Sequence, residues 1–165
     1  MTILLFFFVI FAAYLENFSI GLALGLNVRF SPEKLILVSA FSPIIACTIR
    51  NQSMITPYFN TISVSCLLLL ATLTYINIFK KNRFINSALL ILTGFAPLSN
   101  SYYASVILFE KGFCIYIIML SCVIVSSILF LSGNRITYIL LKNNPEGMGF
   151  LSVILYLILA TIHII

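Results

Sequence analysis

Long apolar runs, separated only by short clusters of charged and turn-forming residues, constrain this chain more than any other feature. A helix needs roughly 20 apolar residues to cross the hydrocarbon core of a bilayer, which is about 30 Å thick. Cutting the chain at its charges and turn residues leaves six segments near that length. They cover approximately residues 3–26, 34–50, 61–79, 85–109, 113–133 and 147–165.

Composition supports the same interpretation. Hydrophobic residues make up 62 % of the chain and charged residues only 8 %, which excludes an ordinary soluble domain. The sequence therefore predicts an all-α polytopic membrane protein with six transmembrane helices. Pro43 and Pro97 lie inside the second and fourth segments, where each predicts a kink because proline leaves a backbone carbonyl without its helical donor. The first segment lacks the basic start of a signal peptide, so we expect it to be retained.

The basic residues predict the orientation. Loops 1–2, 3–4 and 5–6 carry seven of them: Arg29, Lys34, Lys80, Lys81, Arg83, Arg135 and Lys142. The opposite side carries only two, Arg50 and Lys111. Because basic loops stay in the cytoplasm, we expect a multi-pass protein of the cell membrane with both termini outside. The net charge of +5 then reflects topology, and we expect no nucleic-acid partner.

A weak internal match predicts two related halves. Shifting the chain by 83 residues places Ala13, Leu15 and Asn17 over Ala96, Leu98 and Asn100. The halves would be residues 1–83 and 84–165, each with three helices, within one membrane domain. An odd number of helices per half makes the two halves enter the membrane from opposite sides, as inverted repeats do in many transporters.

Glu16 is the most informative single residue. A charged side chain at the centre of a membrane helix costs on the order of 3 kcal/mol, so it should face the bundle interior or water. No other acidic or basic residue lies inside a predicted span, so no ion pair is expected within the membrane. Glu16 would then be protonated, hydrogen-bonded by Asn or Ser, or bound to a cation; a neutral, purely structural glutamic acid is the alternative.

Small and polar residues accompany Glu16 on the first helix. Ala12 and Ser19 share its face, whereas Asn17, Gly21 and Gly25 form a second stripe. Gly21 and Gly25 make a GxxxG pattern, which predicts close helix packing either against the fourth helix or in a homodimer.

The remaining reactive side chains give little reason to expect an enzyme. Cys47, Cys66, Cys114 and Cys122 have no ligand-type spacing and are interpreted as packing residues. His163 is interpreted as an interfacial residue more readily than as a ligand. We therefore expect no catalytic residues and no resident cofactor.

Two motifs resemble a known family. The run LENFSIGLALGL, residues 15–26, resembles the first-helix signature of MntP-type manganese efflux pumps and their sporulation-membrane-protein relatives, within the LysE-type exporter superfamily. The tail GNRITYILLKNNPEGMGFLSVILYLILATIHII, residues 133–165, resembles that family's ending, with a basic loop, a glycine at the start of the last helix and a late histidine. The resemblance implies six helices in two halves and export of a divalent cation such as manganese.

The resemblance also implies a site. Glu16 stands where the family has an aspartate in its first helix, and Ser99, followed by Asn100, stands at the aspartate position of the fourth. We expect Glu16, Asn17, Ser99 and Asn100 to line one midplane site, with Glu16 and Asn100 as ligands of the transported metal. The loss of the second acid leaves two alternatives: export of another small solute, or a membrane scaffold or assembly factor that does not transport.

Overall fold

A computed structural model of the chain describes residues 2–49, 56–80, 82–143 and 148–164. Arg50 and Lys81, two of the residues counted for orientation, lie outside these ranges. The described residues form eight helices and contain no strand. The helices are α1 Thr2–Asn27, α2 Pro32–Ser39, α3 Phe41–Ile49, α4 Thr56–Phe79, α5 Arg83–Phe95, α6 Leu98–Glu110, α7 Ile115–Asn143 and α8 Met148–Ile164.

Part of this helical structure is long enough to cross a bilayer. Four stretches within the described ranges are long and apolar enough to cross it, namely Ile3–Asn27, Pro32–Ile49, Tyr58–Phe79 and Ile115–Thr137. A shorter apolar helix covers Gly149–Ile164. The predicted all-α polytopic membrane architecture is confirmed.

Two of the predicted spans are interrupted helices. The second consists of α2 and α3, which meet at Ala40, and the fourth consists of α5 and α6, which meet at Ala96 and Pro97. Pro43 lies in the first turn of α3, so both interruptions lie within three residues of a proline. The cause is the one expected from the sequence, since proline cannot donate the backbone hydrogen bond that would join the two halves.

The fifth span is longer than predicted. Helix α7 continues to Asn143, so the expected end at residue 133 was wrong. Gly133 was expected to be the last residue of the span, but it lies where α7 crosses α1, and a Cβ atom there would meet the backbone carbonyl of Phe18. Glycine at this position permits a close helix contact and does not end the helix.

Each span packs against a span of the other half. Helix α1 packs along α7, α5 and α6 pack against α2 and α3, and α4 packs against α8. Thus the first span of each half packs against the second span of the other half, and the two third spans pack together. This pattern agrees with the proposed division at residue 83, which stays a prediction.

Candidate functional site

Glu16 lies at the meeting point of three helices. Its Oε2 accepts a hydrogen bond of 2.5 Å from Asn100 Nδ2 on α6, and its Oε1 lies 3.0 Å from His163 Nε2 on α8. The Glu16 and His163 side chains are only 7 % and 8 % exposed. One carboxylate therefore holds together three segments that are far apart in sequence.

The three side chains form part of the wall of a cavity. The cavity has a volume of about 390 Å³, and α1, α6 and α8 surround it. Its lining consists of Ala12, Leu15, Glu16, Ser19, Asn100, Leu159, Ile162 and His163. Ala12 and Ser19 thus share the face of Glu16, as the helical periodicity predicts.

His163 corrects one of the predictions. The expectation that Glu16 has no ion-pair partner within the membrane was wrong, because His163 contacts it directly. The interfacial interpretation of His163 stays a prediction, although its side chain is only 8 % exposed. The end of α8 is held there by α4, since Asn60 Nδ2 donates a 2.9 Å hydrogen bond to the backbone carbonyl of His163.

Glu16, Asn100 and His163 together can hold a proton or supply ligand atoms to a metal ion. An imidazole nitrogen and a carboxylate oxygen at this distance form one hydrogen bond, with the roles of donor and acceptor set by the tautomer and protonation of the ring. With the proton of this bond removed, the carboxylate oxygens and the imidazole nitrogen become electron-pair donors, and rotation of the Asn100 amide adds a carbonyl oxygen. The described residues contain no cluster of three or more His, Cys, Asp or Glu side chains, so this set has two such ligands and one amide.

Asn17 points away from this cavity, contrary to prediction. Its side chain is 1 % exposed, and its Nδ2 donates a 2.6 Å hydrogen bond to Ser126 Oγ on α7. Successive residues of a helix point about 100° apart, so Glu16 and Asn17 face different neighbours. Asn17 belongs to a contact between helices and does not line the predicted site.

Through Ser126, Asn17 is connected by hydrogen bonds to the point where the second span is interrupted. Ser126 Oγ donates a 2.7 Å hydrogen bond to the backbone carbonyl of Ser39, the last residue of α2. In an unbroken helix the N–H of residue 43 would bond to that carbonyl, but residue 43 is a proline. Ser126 therefore supplies the hydrogen bond that Pro43 cannot give to the Ser39 carbonyl, and Asn17 donates to the same Ser126 hydroxyl.

Ser99 also lies away from Glu16. Its side chain is 2 % exposed, and its backbone N–H donates a 3.0 Å hydrogen bond to Ser63 Oγ on α4. It is absent from the lining of the Glu16 cavity. Of the four predicted site residues, the structure brings together Glu16 and Asn100 and separates Asn17 and Ser99, which occupy neighbouring positions on the same helices.

Gly21 and Gly25 pack closely, but against a different helix from the one predicted. A Cβ atom at Gly21 would meet the backbone carbonyl of Phe130, and one at Gly25 would lie 2.8 Å from Thr137 Oγ1. Both contacts are with α7, so the expected contact with the fourth span was wrong. The same packing covers the GxxxG face that a homodimer was expected to use.

Comparison with protein-family models, with curated proteins and with solved structures finds no match. The similarity to MntP-type exporters therefore stays a prediction from the two motifs. What can be said of the site comes from the positions of Glu16, Asn100 and His163.

Proposed function

We propose that this protein is a small transporter of the cell membrane that exports a divalent cation, with manganese as the first to test. The observation that supports it is the contact of Glu16 with Asn100 and His163 at the wall of a cavity. An ionisable residue within a membrane helix is costly, and in membrane proteins such residues commonly mark the path of an ion or substrate.

The transported cation would replace the proton of the hydrogen bond between Glu16 and His163. Glu16 would supply carboxylate oxygens, His163 a ring nitrogen and Asn100 its carbonyl oxygen. Carboxylate and carbonyl oxygens suit Mn²⁺, and an imidazole nitrogen among the ligands favours a first-row transition metal over Mg²⁺ and Ca²⁺. The three ligands come from three helices, so a relative movement of these helices would make and break the site.

Alternating access would use the two halves, residues 1–83 and 84–165. Interrupted helices near the membrane midplane are a recurring feature of transporters built from inverted repeats. Helix α6 begins just after the Ala96 and Pro97 interruption and carries Asn100 in its first turn. In this proposal both termini lie outside, and any homodimer uses a face other than Gly21 and Gly25.

The direct test measures manganese in a bacterial host that lacks its own manganese exporter. The host would express the parent chain, the Glu16→Gln variant or the control variant Glu110→Gln, which removes an acid at the exposed end of α6. We expect the parent and Glu110→Gln to lower cell-associated manganese, measured by mass spectrometry, and Glu16→Gln to leave it high. Equal export by all three chains, expressed at matched levels, would overturn the role of Glu16.

A membrane scaffold that does not transport is the second candidate function. Its support is that both carboxylate oxygens of Glu16 already have partners in the chain, as expected for a structural cluster. A well-expressed parent that leaves manganese unchanged would favour this function or export of another solute. A lower content of another divalent metal in the same cells, lost in Glu16→Gln, would identify export of that metal.

A further inference from the structure

An arginine lies inside the apolar part of α7. The sequence suggests a loop position for Arg135, but α7 continues past it to Asn143, and Arg135 falls within the apolar stretch Ile115–Thr137. Its side chain is exposed, and so is that of Ile139, one turn further along the helix. In a membrane the guanidinium group would therefore lie at the edge of the hydrocarbon core, where an unpaired charge is costly.

This arginine has no acidic partner in the part of the chain that the structure describes. Within the described ranges, the guanidinium group of Arg135 makes no ion pair and no hydrogen bond. Glu33, in the first turn of α2, lines a different cavity together with Lys34. The positive charge of Arg135 is thus available to a partner from outside these residues.

Arg135 lies at one end of a groove between α7, the start of α2 and the connection that precedes α2. The groove has a volume of about 310 Å³. Four of its α7 residues share one face of the helix because they are spaced i, i+3, i+4 and i+7. These are Ile128, Leu131, Ser132 and Arg135. Apolar residues of the other two segments complete the wall, namely Phe30, Pro32 and Leu35. Ile128 is 57 % exposed, so the groove lies on the outer surface of the bundle.

The groove has an apolar end and a charged end. Ile128 and Arg135 are separated by seven residues, about 10 Å along the helix axis. Ser132 and Asn134, its uncharged polar residues, can each donate or accept a hydrogen bond, so they do not determine the charge of a ligand. Arg135 does, because it is the one charged residue among those that line the groove in the described chain. An apolar surface that ends at a fixed positive charge matches the acyl chain and the phosphate of a lipid.

We propose that this groove binds an anionic phospholipid of the surrounding leaflet. The guanidinium group of Arg135 would donate charge-assisted hydrogen bonds to two phosphate oxygens, and an acyl chain would lie along Leu131 and Ile128. A zwitterionic lipid would bind less tightly, because its ammonium group would find no acid among the described residues of the groove. The proposal does not depend on the transport function at Glu16, since the two cavities have no lining residue in common.

The test measures thermal unfolding of the purified full chain in an uncharged detergent at constant ionic strength. Short-chain phosphatidylglycerol would be titrated against phosphatidylcholine of the same chain length, and against glycerol phosphate, which has the phosphate but no acyl chain. We expect phosphatidylglycerol to give a saturable rise of the unfolding midpoint. Its half-saturating concentration should be about tenfold below that of phosphatidylcholine, and glycerol phosphate should give no saturable rise at the same concentrations.

Three substitutions locate the effect. Arg135→Gln removes the charge of an exposed side chain and should raise the half-saturating concentration of phosphatidylglycerol about tenfold, the effect of losing one charge-assisted hydrogen bond. Arg135→Lys keeps the charge but not the planar pair of donors, so the rise should be smaller. Arg83→Gln is the matched control, because it removes an exposed positive charge at the start of α5, outside the groove. It should stay within about twofold of the parent.

Two results together would support the proposal: a preference for phosphatidylglycerol, and a loss of that preference confined to the Arg135 variants. Equal losses in Arg135→Gln and Arg83→Gln would overturn it, because general attraction of the positive chain to an anionic lipid would then explain the binding. Equal half-saturation by phosphatidylcholine would overturn the requirement for a negative headgroup. Saturation by glycerol phosphate would overturn the role of the apolar wall, and no saturable rise with phosphatidylglycerol would overturn the site itself.

Discussion

Ser126 on α7 donates a 2.7 Å hydrogen bond to the backbone carbonyl of Ser39, across a gap of 87 residues in the sequence. Pro43 cannot supply the N–H that would otherwise bond to this carbonyl. Ser126 in turn accepts a hydrogen bond from Asn17 on α1. A single hydroxyl group therefore links the first, second and fifth spans at the point where the second span is interrupted.

Removing that hydroxyl should weaken the fold. In Ser126→Ala the Ser39 carbonyl and the Asn17 amide both lose a buried partner, so we expect the free energy of unfolding to fall by about 1–2 kcal/mol. Denaturant titration in detergent would measure the change. Ser132→Ala is the control, because that hydroxyl bonds only within α7, to the carbonyl of Ile128. Equal effects of the two substitutions would contradict the bridging role of Ser126.

A double-mutant cycle tests the part played by proline. Pro43→Ala restores the N–H that an unbroken helix would direct at the Ser39 carbonyl. In that background we expect Ser126→Ala to cost less than it does in the parent chain, with an interaction energy of about 1 kcal/mol. Additive effects would mean that Pro43 and Ser126 act independently.

Close packing between α1 and α7 should tolerate no side chain at Gly133. A Cβ atom there would meet the carbonyl oxygen of Phe18 and lie 2.8 Å from the backbone nitrogen of Leu22, so the two helices would have to separate. We expect Gly133→Ala to lower the free energy of unfolding by about 2 kcal/mol. Gly149→Ala is the comparison, since its Cβ would meet only the side chain of Ile78, and it should cost clearly less.

Two substitutions at Glu16 separate the contribution of its hydrogen bonds to stability from its proposed role in transport. Glu16→Leu leaves Asn100 Nδ2 and His163 Nε2 without their partner, and we expect a loss of about 2 kcal/mol in the free energy of unfolding. Glu16→Gln should stay within about 0.5 kcal/mol of the parent, because an amide can accept from Asn100 and donate to a neutral imidazole. Similar stabilities of the two variants would show that these contacts contribute little to the fold.

Thiol labelling tests the orientation. Cys114 is exposed in the connection between α6 and α7, whereas Cys47, Cys66 and Cys122 are buried. With both termini outside, this connection faces the exterior, so a membrane-impermeant maleimide should label Cys114 in intact cells. In a Cys114→Ser background, Lys80→Cys, at an exposed position between α4 and α5, should be labelled only after permeabilisation. The reverse pattern would require the opposite topology.

The approximate bounds of the apolar helical segments could be predicted from the sequence, because a helix that crosses lipid needs a minimum length of apolar residues. The predicted segment 3–26 corresponds to Thr2–Asn27, and segment 85–109 to the pair α5 and α6. The interruptions near Pro43 and Pro97 were also predicted. The extension of α7 was not, because Gly133 and Arg135 resemble loop residues until the contact with Phe18 is known.

The site was only half predictable. Glu16 and Asn100 could be selected because each is polar within an apolar helix, but nothing local says which neighbour such a residue faces. Asn17 and Ser99 lie one position away from the two residues that meet. That step of about 100° turns the Asn17 side chain toward Ser126 on α7, and the backbone N–H of Ser99 donates to Ser63 on α4. The contact of His163 with Glu16 was not predicted, because a lone histidine near the end of the last segment does not indicate which helix it faces, and only the packing of α8 brings it to Glu16.

The hydrogen bonds of Ser126 make the residue types tolerated at position 126 depend on the residue at position 43. A side chain at 126 must be small, must accept from Asn17 and must donate to a carbonyl, so only serine or threonine meets all three needs while residue 43 is proline. A sequence variant with an ordinary residue at 43 would be released from that requirement and could carry alanine at 126. Loss of the hydroxyl at position 126 should therefore be tolerated only after the proline at position 43 has been replaced.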